Sequence, residues 1–371
     1  MRELAAIEVD LLVRELKRIE GMYIKKFYDL GDNSFKISVS GKDGTLMLYL
    51  RLLRTFNISA FSEPAEEATN FAMAMRKRIA GSRIESVSQH GADRIIILGI
   101  RGKDRRYSLV AEMFGKGNLM LVGEDQRIEI AYRNASMKDR EIRARQLYAF
   151  PKSEPFDFHS GITDEKATEI AEGATNEDTK LIKALSKRLD IGPLYLEDII
   201  TRAGLDPNMK ASDAARHSDR LAREIRAFFA AIKEEKTRIY MDQNGRMIDY
   251  AIKAIKKYDA DRCTYYDTPS KALDAFYLEE RSSARETEDR ESLQIQESVK
   301  RQNELIIRYR AEENEDREAG DLVFKNMSRL NELIGYVREK KRVGLEELRA
   351  AFPDLSVKSI DLKNKTVEIE I

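Results

Sequence analysis

Along the first twenty residues Val9, Leu12, Val13, Leu16 and Ile19 recur at helical spacing, and Gly21 ends the run. The pattern predicts an amphipathic helix over 9–20 with Asp10 at its N-cap. Period-2 alternation then takes over. Phe35, Ile37 and Val39 face one way, and Leu46, Leu48 and Leu50 do the same across the turn Gly41-Lys42-Asp43-Gly44, which predicts a hairpin. A second helix is expected over 66–80, ending near Gly81, followed by strands over 94–100, 106–113, 118–122 and 127–132. Links this short join antiparallel strands, because parallel neighbours need a crossover of a dozen or more residues. The first segment therefore reads as an α+β domain, rich in antiparallel β, ending near Pro151 or Pro155.

From 163 to 238 the pattern is helical throughout. Leu181, Ile182, Leu185 and Leu189 form one stripe, and Gly192-Pro193 restarts a helix carrying Leu194, Ile199 and Ile200 that stops at Gly204. Such a helix-hairpin-helix can offer backbone N–H groups to phosphates, although most such hairpins simply pack. Residues 240–280 suggest a small connecting unit with a strand at Tyr265 and Tyr266. A seam then runs through Ile295, Val299, Gln302, Ile306, Tyr309, Glu313, Asp316, Gly320, Val323, Met327, Leu330, Ile334 and Val337, in alternating spacings of four and three. That is a heptad repeat, and it calls for a coiled-coil partner. Charges and a glycine occupy the seam between Glu313 and Gly320, where a local loosening or bend is expected. The run ends at the basic patch Arg338, Lys340, Lys341 and Arg342, before a short helix over 345–351 and alternation at Val367, Ile369 and Ile371. The expected division is 1–155, 160–238, 239–280, 281–341 and 342–371. With the alternation still running at Ile371, the sequence is expected to belong to a longer chain holding the seam's returning helix; self-association along the seam is the other way to pair it.

Length and charge narrow the class. A chain of 371 residues exceeds one ordinary domain. Charged residues make up 35%, above the usual ~25%, which fits long solvated helices. Lys+Arg and Asp+Glu both total 65, so a uniformly basic nucleic-acid binder is excluded and a polarised one is not. Residues 1–150 hold 26 Lys+Arg against 20 Asp+Glu, while residues 271–320 hold 9 against 14. A basic head on an acidic stalk would turn the head towards a polyanion such as RNA. The single Cys263 rules out a disulfide scaffold and a Cys-rich metal site. No apolar run approaches a membrane span, and a soluble, cytoplasmic protein without membrane contact is expected.

Catalytic motifs are missing. There is no phosphate loop of the Gly-x-x-x-x-Gly-Lys-Ser/Thr type, no Gly-x-Gly-x-x-Gly after a strand, no His-Glu-x-x-His and no Gly-x-Ser-x-Gly. His90, His159 and His217 are scattered, and Gly115-Lys116-Gly117-Asn118 precedes a strand, so it reads as a turn. No catalytic residue, cofactor or metal is expected. The phrase Gln89-His90-Gly91-Ala92-Asp93-Arg94 stands at a strand entrance, where Arg94 could fork onto a phosphate or guanine edge and Asp93 could accept from a base amino group.

In order along the chain, several phrases carry a resemblance: Val9-Asp10-Leu11-Leu12-Val13-Arg14-Glu15-Leu16-Lys17, Met75-Arg76-Lys77-Arg78, Gln89 to Arg94, and Ala111-Glu112-Met113-Phe114-Gly115-Lys116-Gly117-Asn118-Leu119. Gly192-Pro193-Leu194-Tyr195, Ala272-Leu273-Asp274-Ala275-Phe276-Tyr277 and Ser359-Ile360-Asp361 complete it. Together they resemble the NFACT family of ribosome quality-control factors, which takes in bacterial RqcH and eukaryotic NEMF, with the glycine phrase nearest its archaeal and eukaryotic branch. The resemblance implies a first domain like the N-terminal domain of formamidopyrimidine-DNA glycosylases, followed by a helix-hairpin-helix unit and a coiled coil. It implies binding to a stalled large ribosomal subunit that carries peptidyl-tRNA, and recruitment of tRNA, chiefly for alanine, so that a tail is added without mRNA. The family's essential aspartate and Asp-Arg pair map to Asp10, Asp93 and Arg94, with Arg76, Lys77 and Arg83 as phosphate contacts. The coiled coil would reach towards the stalk base and a ubiquitin ligase. The family's returning helix and C-terminal RNA-binding domain have no counterpart in these residues.

Three other readings compete. A glycosylase-like repair enzyme would need an N-terminal proline amine beside Glu3, but position 2 is Arg2, and one cysteine cannot build that class's four-Cys zinc finger. An adhesin lacks a signal or anchor in this sequence. A coiled-coil scaffold with an inert head predicts no RNA affinity.

Overall fold

The computed structural model describes residues 2–60, 68–152, 156–159, 161–232, 236–340, 342–364 and 366–370, with side chains left out between 279 and 293. The first residues of the helix expected over 66–80, and Pro155, Lys341 and Ile371, lie outside the described residues.

Helix α1 spans Ala6–Leu16 and closes with a 3-10 turn at Lys17–Ile19. It starts earlier than the apolar spacing indicates because Glu8, in its first turn, accepts the Ala5 N–H at 2.8 Å, which satisfies one orphan donor of the helix start. Asp10 is therefore inside the helix and not its N-cap. Strands β1 (Tyr23–Gly31), β2 (Ser34–Gly41), β3 (Gly44–Arg51) and β4 (Thr55–Ser59) follow as an antiparallel meander. After α2 (Asn70–Ile79), a second meander runs through β5 (Arg83–Gln89), β6 (Ile95–Arg101), β7 (Arg106–Glu112), β8 (Asn118–Gly123) and β9 (Ile128–Ala131). The two join into one sheet of order β4-β3-β2-β1-β5-β6-β7-β8-β9, with the single cross-strand pair Tyr23↔Arg83 at the join.

The apolar sequence spacing did not mark β1 and β5. Each carries a bulge, at Ile24/Lys26 and at Ile84/Ser86, and one extra residue throws the apolar positions out of alternation. One face of the sheet buries Phe27, Phe35, Ile37, Leu48, Ile84, Leu98 and Leu109 with Leu12, Leu16 and Ile19 of the first helical segment. Helix α1 lies against β4, β5 and β6, and α2 against β1 and β9. A short ribbon, β10 (Ala135–Ser136) with β11 (Glu141–Ile142), follows the sheet.

Helices α3 (Asp164–Thr175), α4 (Leu181–Ser186), α5 (Pro193–Arg202) and α6 (Ser218–Ala231) surround a second core containing Leu185, Tyr195, Ile199 and Phe228. The helical run ends before residue 238, because Thr237 already opens β12 (Thr237–Met241). That strand lies between β13 (Met247–Ala251) and β14 (Cys263–Tyr266). The little sheet is packed into both cores, with Ile239 and Tyr250 in the first and Tyr240 and Ala251 in the second. Met1–Ser283 accordingly form one unit and Ala284–Ile371 another.

Helix α7 spans Pro269–Lys325, and its side chains from Gln294 to Lys325 are exposed. It is helical throughout Glu313–Gly320. The break comes at Asn326 (φ −97°, ψ 5°), whose amide donates to the Leu322 carbonyl at 2.9 Å. After α8 (Met327–Glu339), helix α9 (Leu345–Ala351) and the hairpin β15 (Ser356–Asp361)–β16 (Thr366–Glu370) close a small core around Leu333, Leu348, Phe352 and Val357.

Candidate functional site

The β5–β6 loop turns tightly. His90 N–H donates to the Ile95 carbonyl and Asp93 N–H to the His90 carbonyl, both at 3.0 Å, and Gly91 sits at φ +51°. Gln89 anchors it, since its Nε2 donates to the Ala6 carbonyl (2.9 Å) and to the Asp93 carbonyl (2.7 Å). The His90 ring stacks on Phe150 with centroids 3.5 Å apart. The loop is thus fixed against the first turn of α1.

Asp10 is buried on α1 at 7% exposure. One carboxylate oxygen meets Arg14 Nη2 at 2.6 Å, one turn on, and the other lies 3.2 Å from His159 Nδ1. The second ring nitrogen of His159 is 2.8 Å from the Gly91 carbonyl oxygen. The ring thus stands between two acceptors, the Asp10 carboxylate and the Gly91 carbonyl. Asp10 acts on the loop through His159.

Asp93 and Arg94 do not pair through their side chains. Asp93 Oδ1 accepts the Arg94 N–H at 3.2 Å, while Arg94 Nη1 meets Glu3 Oε2 at 2.7 Å. The Arg94–Glu3 pair is partly exposed, so an incoming anion can compete for the guanidinium at little cost. Arg94 stands at a cleft of about 400 Å³ between residues 2–6 and the segment from Ser186 to Tyr195. The wall opposite is set by Gly192, at φ +94°, where a Cβ would come within 2.7 Å of the Ala5 Cβ. Only glycine allows the start of α5 this close to the chain's first turn.

Beneath the cleft lies a buried charge network. Arg2 pairs with Glu8 at 2.5 Å and with Asp249 at 3.0 Å, and stacks over the Tyr250 ring at 4.3 Å. Tyr195 OH donates to Glu8 at 2.5 Å. Burial, then the Glu8 carboxylate, raise the Tyr195 and Tyr250 hydroxyls well above the ordinary tyrosine range. Position 2 is therefore a structural anchor, holding α1, α5 and the small sheet together.

Asp10, Asp93 and Arg94 are thus brought together, and the three other expected contacts are elsewhere. Arg76 donates to the Phe27 carbonyl at 2.6 Å and rests over Tyr28. Lys77 and Arg83 line an open hollow of about 1060 Å³. Arg83 is at the opposite end of β5 from Gln89, roughly 20 Å away at ~3.3 Å per residue. Sequence reasoning missed His159 and Glu3 as members of the site, and no spacing in the chain signals either. Gly115 and Gly117, at φ +62° and +67°, make a β7–β8 turn. Among the described residues no cluster could hold a metal ion, and no helix is long and apolar enough to cross a membrane.

Residues 6–365 match the family described as NFACT N-terminal and middle domains. The chain is 24% identical over 367 residues to the archaeal Rqc2 homolog aRqcH of Methanocaldococcus jannaschii, covering 91% of this chain and 52% of that protein. It is 25% identical over 343 residues to the Rqc2 homolog RqcH of Bacillus subtilis, covering 83% of this chain and 56% of that one. The human ribosome quality control complex subunit NEMF is 24% identical over 222 residues, 58% of this chain and 20% of its own length. The chain thus spans about half the length, or less, of these relatives. In fold it is similar to the N-terminal part of the fibronectin/fibrinogen-binding protein of Streptococcus suis, with a TM-score of 0.57 and 22% identity. The fibrinogen binding protein of Staphylococcus aureus gives 0.58 and 20%. Each alignment covers 74% of this chain and 98% of the other.

Proposed function

This chain belongs to the NFACT family, and from that premise we propose that it works in ribosome quality control, as the names of its relatives indicate. In this reading the protein binds a large ribosomal subunit blocked by peptidyl-tRNA and recruits a further tRNA, alanyl in kind, for tailing without mRNA. It does so by binding and positioning, with no catalytic centre of its own. The observation that supports the reading best is the linkage from Asp10 through His159 to Gly91, which holds the Asp93–Arg94 loop at the mouth of a cleft. Arg94 is placed to fork onto a phosphate or a base edge there, and Asp93 to accept from an exposed base amino group. The exposed seam of α7 would pair with a returning helix or a second copy of the chain, and reach the stalk base and a ligase.

The deciding experiment is tRNA binding by the chain and by its Asp93→Ala/Arg94→Ala variant at two salt concentrations. Salt-sensitive binding that the variant loses supports the reading. Equal binding by both proteins removes tRNA from this loop, and no binding by either favours a coiled-coil scaffold.

A further inference from the structure

The hairpin β6–β7 carries Arg101, Lys103, Arg105 and Arg106 within six residues, against Asp104 alone. In the fold these charges gain neighbours. Arg83 pairs across β5–β6 with Arg101, and Arg101 pairs across β6–β7 with Arg106. Directly opposed residues share a face of the sheet, so three arginines stand in one row at ~5 Å intervals. Like charges in such register destabilise a sheet. Here a single carboxylate, Glu85, meets both Arg101 and Arg106. Behind the row is the open hollow, where Lys77, Arg78, Arg83, Arg101, Lys103 and Arg105 face Asp104 and Glu129. Glu129 is shared between Arg78 and Arg105, and among the described residues Lys77, Arg83 and Lys103 have no carboxylate partner.

We propose that this hollow, with the β6–β7 hairpin as its lip, is a docking surface for an RNA sugar–phosphate backbone, separate from the Asp93–Arg94 loop. The inference rests on the reading above that the protein works on RNA, and gives that reading a second footing on the ligand. Arginine forks match phosphate oxygens, and the cations come from α2, β5 and both sides of the hairpin, so they spread along a strand of phosphates and do not converge on one ion. The lining offers no large aliphatic side chain to seat a peptide anchor or an acyl chain. Its larger uncharged side chains are Tyr23 and Tyr107, whose rings can stack on bases.

The test measures tRNA binding against salt for the parent chain, for Arg101→Gln/Lys103→Gln/Arg105→Gln, and for Asp93→Ala/Arg94→Ala. The three hairpin positions are exposed, so the triple variant is expected to keep the parent's thermal transition; Arg101→Lys/Arg105→Lys, which keeps the charge, is the control. The slope of log K against log salt should flatten by roughly two in the triple variant, as three phosphate contacts are lost, and stay near the parent's in the control. An unchanged slope in a folded triple variant overturns the proposal, and it leaves the function standing if the Asp93/Arg94 variant still loses tRNA. The reverse pattern, with the slope flattened by the triple variant and the Asp93/Arg94 variant binding normally, keeps the docking surface and overturns the role of the loop. No tRNA binding by the parent overturns both. Poly-glutamate competing as well as RNA of equal charge would make the hollow a site for acidic peptide and overturn the assignment to RNA.

Discussion

Asp10 and His159 meet at 3.2 Å across the boundary between the first helix and the segment leading to the helical core. Through the far nitrogen of that ring the contact continues to the Gly91 carbonyl, two residues from Asp93. A buried carboxylate therefore positions a loop it does not touch. Asp10→Asn and His159→Ala should each weaken tRNA binding, and the double variant should be no weaker than the worse single one. Coupling of roughly 0.5–3 kcal/mol is usual for residues in one network. Additive losses in a double-mutant cycle would show that the two act separately.

Arg94→Ala should lower tRNA affinity by about 1–3 kcal/mol if the fork makes a bidentate contact. Among the described residues its only carboxylate partner is the half-exposed Glu3, so stability should stay within about 0.5 kcal/mol of the parent. Binding isotherms and urea melts on the same preparation separate the two effects. A loss of stability as large as the loss of affinity would reassign Arg94 to the scaffold.

Arg140 and Glu112 form a fully buried bidentate pair, with Tyr148 OH adding a hydrogen bond at 3.0 Å. Removing one partner strands a charge. Arg140→Met should cost about 3–5 kcal/mol, and Arg140→Met/Glu112→Leu far less. Denaturant midpoints decide it, and a milder single than double variant would contradict the assignment.

Tyr148, Tyr195 and Tyr250 all have hydroxyls pushed up by burial and then by a neighbouring glutamate. In the unfolded chain they ionise near the ordinary value of about 10. The folded state then holds more protons than the unfolded one above that pH, so stability should be fully present below pH ~10 and fall as pH rises beyond it. Tyr250→Phe should make the alkaline decline shallower. A fraction of the tyrosinate absorbance that rises only together with the loss of helical circular dichroism is the expected signature; early ionisation of every tyrosine in a still-folded protein would refute it.

The sheet was legible where alternation was clean, as in Phe35-Ile37-Val39, and where continuous apolar runs such as Ile95-Ile96-Ile97-Leu98 stood between turn residues. It was illegible at β1 and β5, where bulges put Lys26 and Ser86 out of step. Helix α7 was readable because its repeat is local, whereas the break fell at Asn326, where a side chain caps the preceding turn, and not at the charged stretch. At the site, Asp10, Asp93 and Arg94 could be picked out by resemblance, but His159 and Glu3 could not. Their roles arise from contacts at long sequence separation, which no spacing encodes. Arg76, expected on a phosphate, donates its Nε–H to the Phe27 carbonyl and lies over Tyr28.

The short join between the meanders has a mechanical consequence. The pair Tyr23↔Arg83 and the backbone bonds beside it are confined to Gly21–Ile24 and Gly81–Ile84, so the helices laid across the join share in resisting shear between the two halves of the sheet. Helix α1 is one such strap, laid over β4 on one side and β5 and β6 on the other, and α2, against β1 and β9, is a second. The eleven residues that carry Asp10 therefore also brace the platform. Damage to the inner face of this helix, at Val9 or Leu12, would loosen that bracing and blur the loop at its start, so binding defects from that face report on the rigidity of the platform.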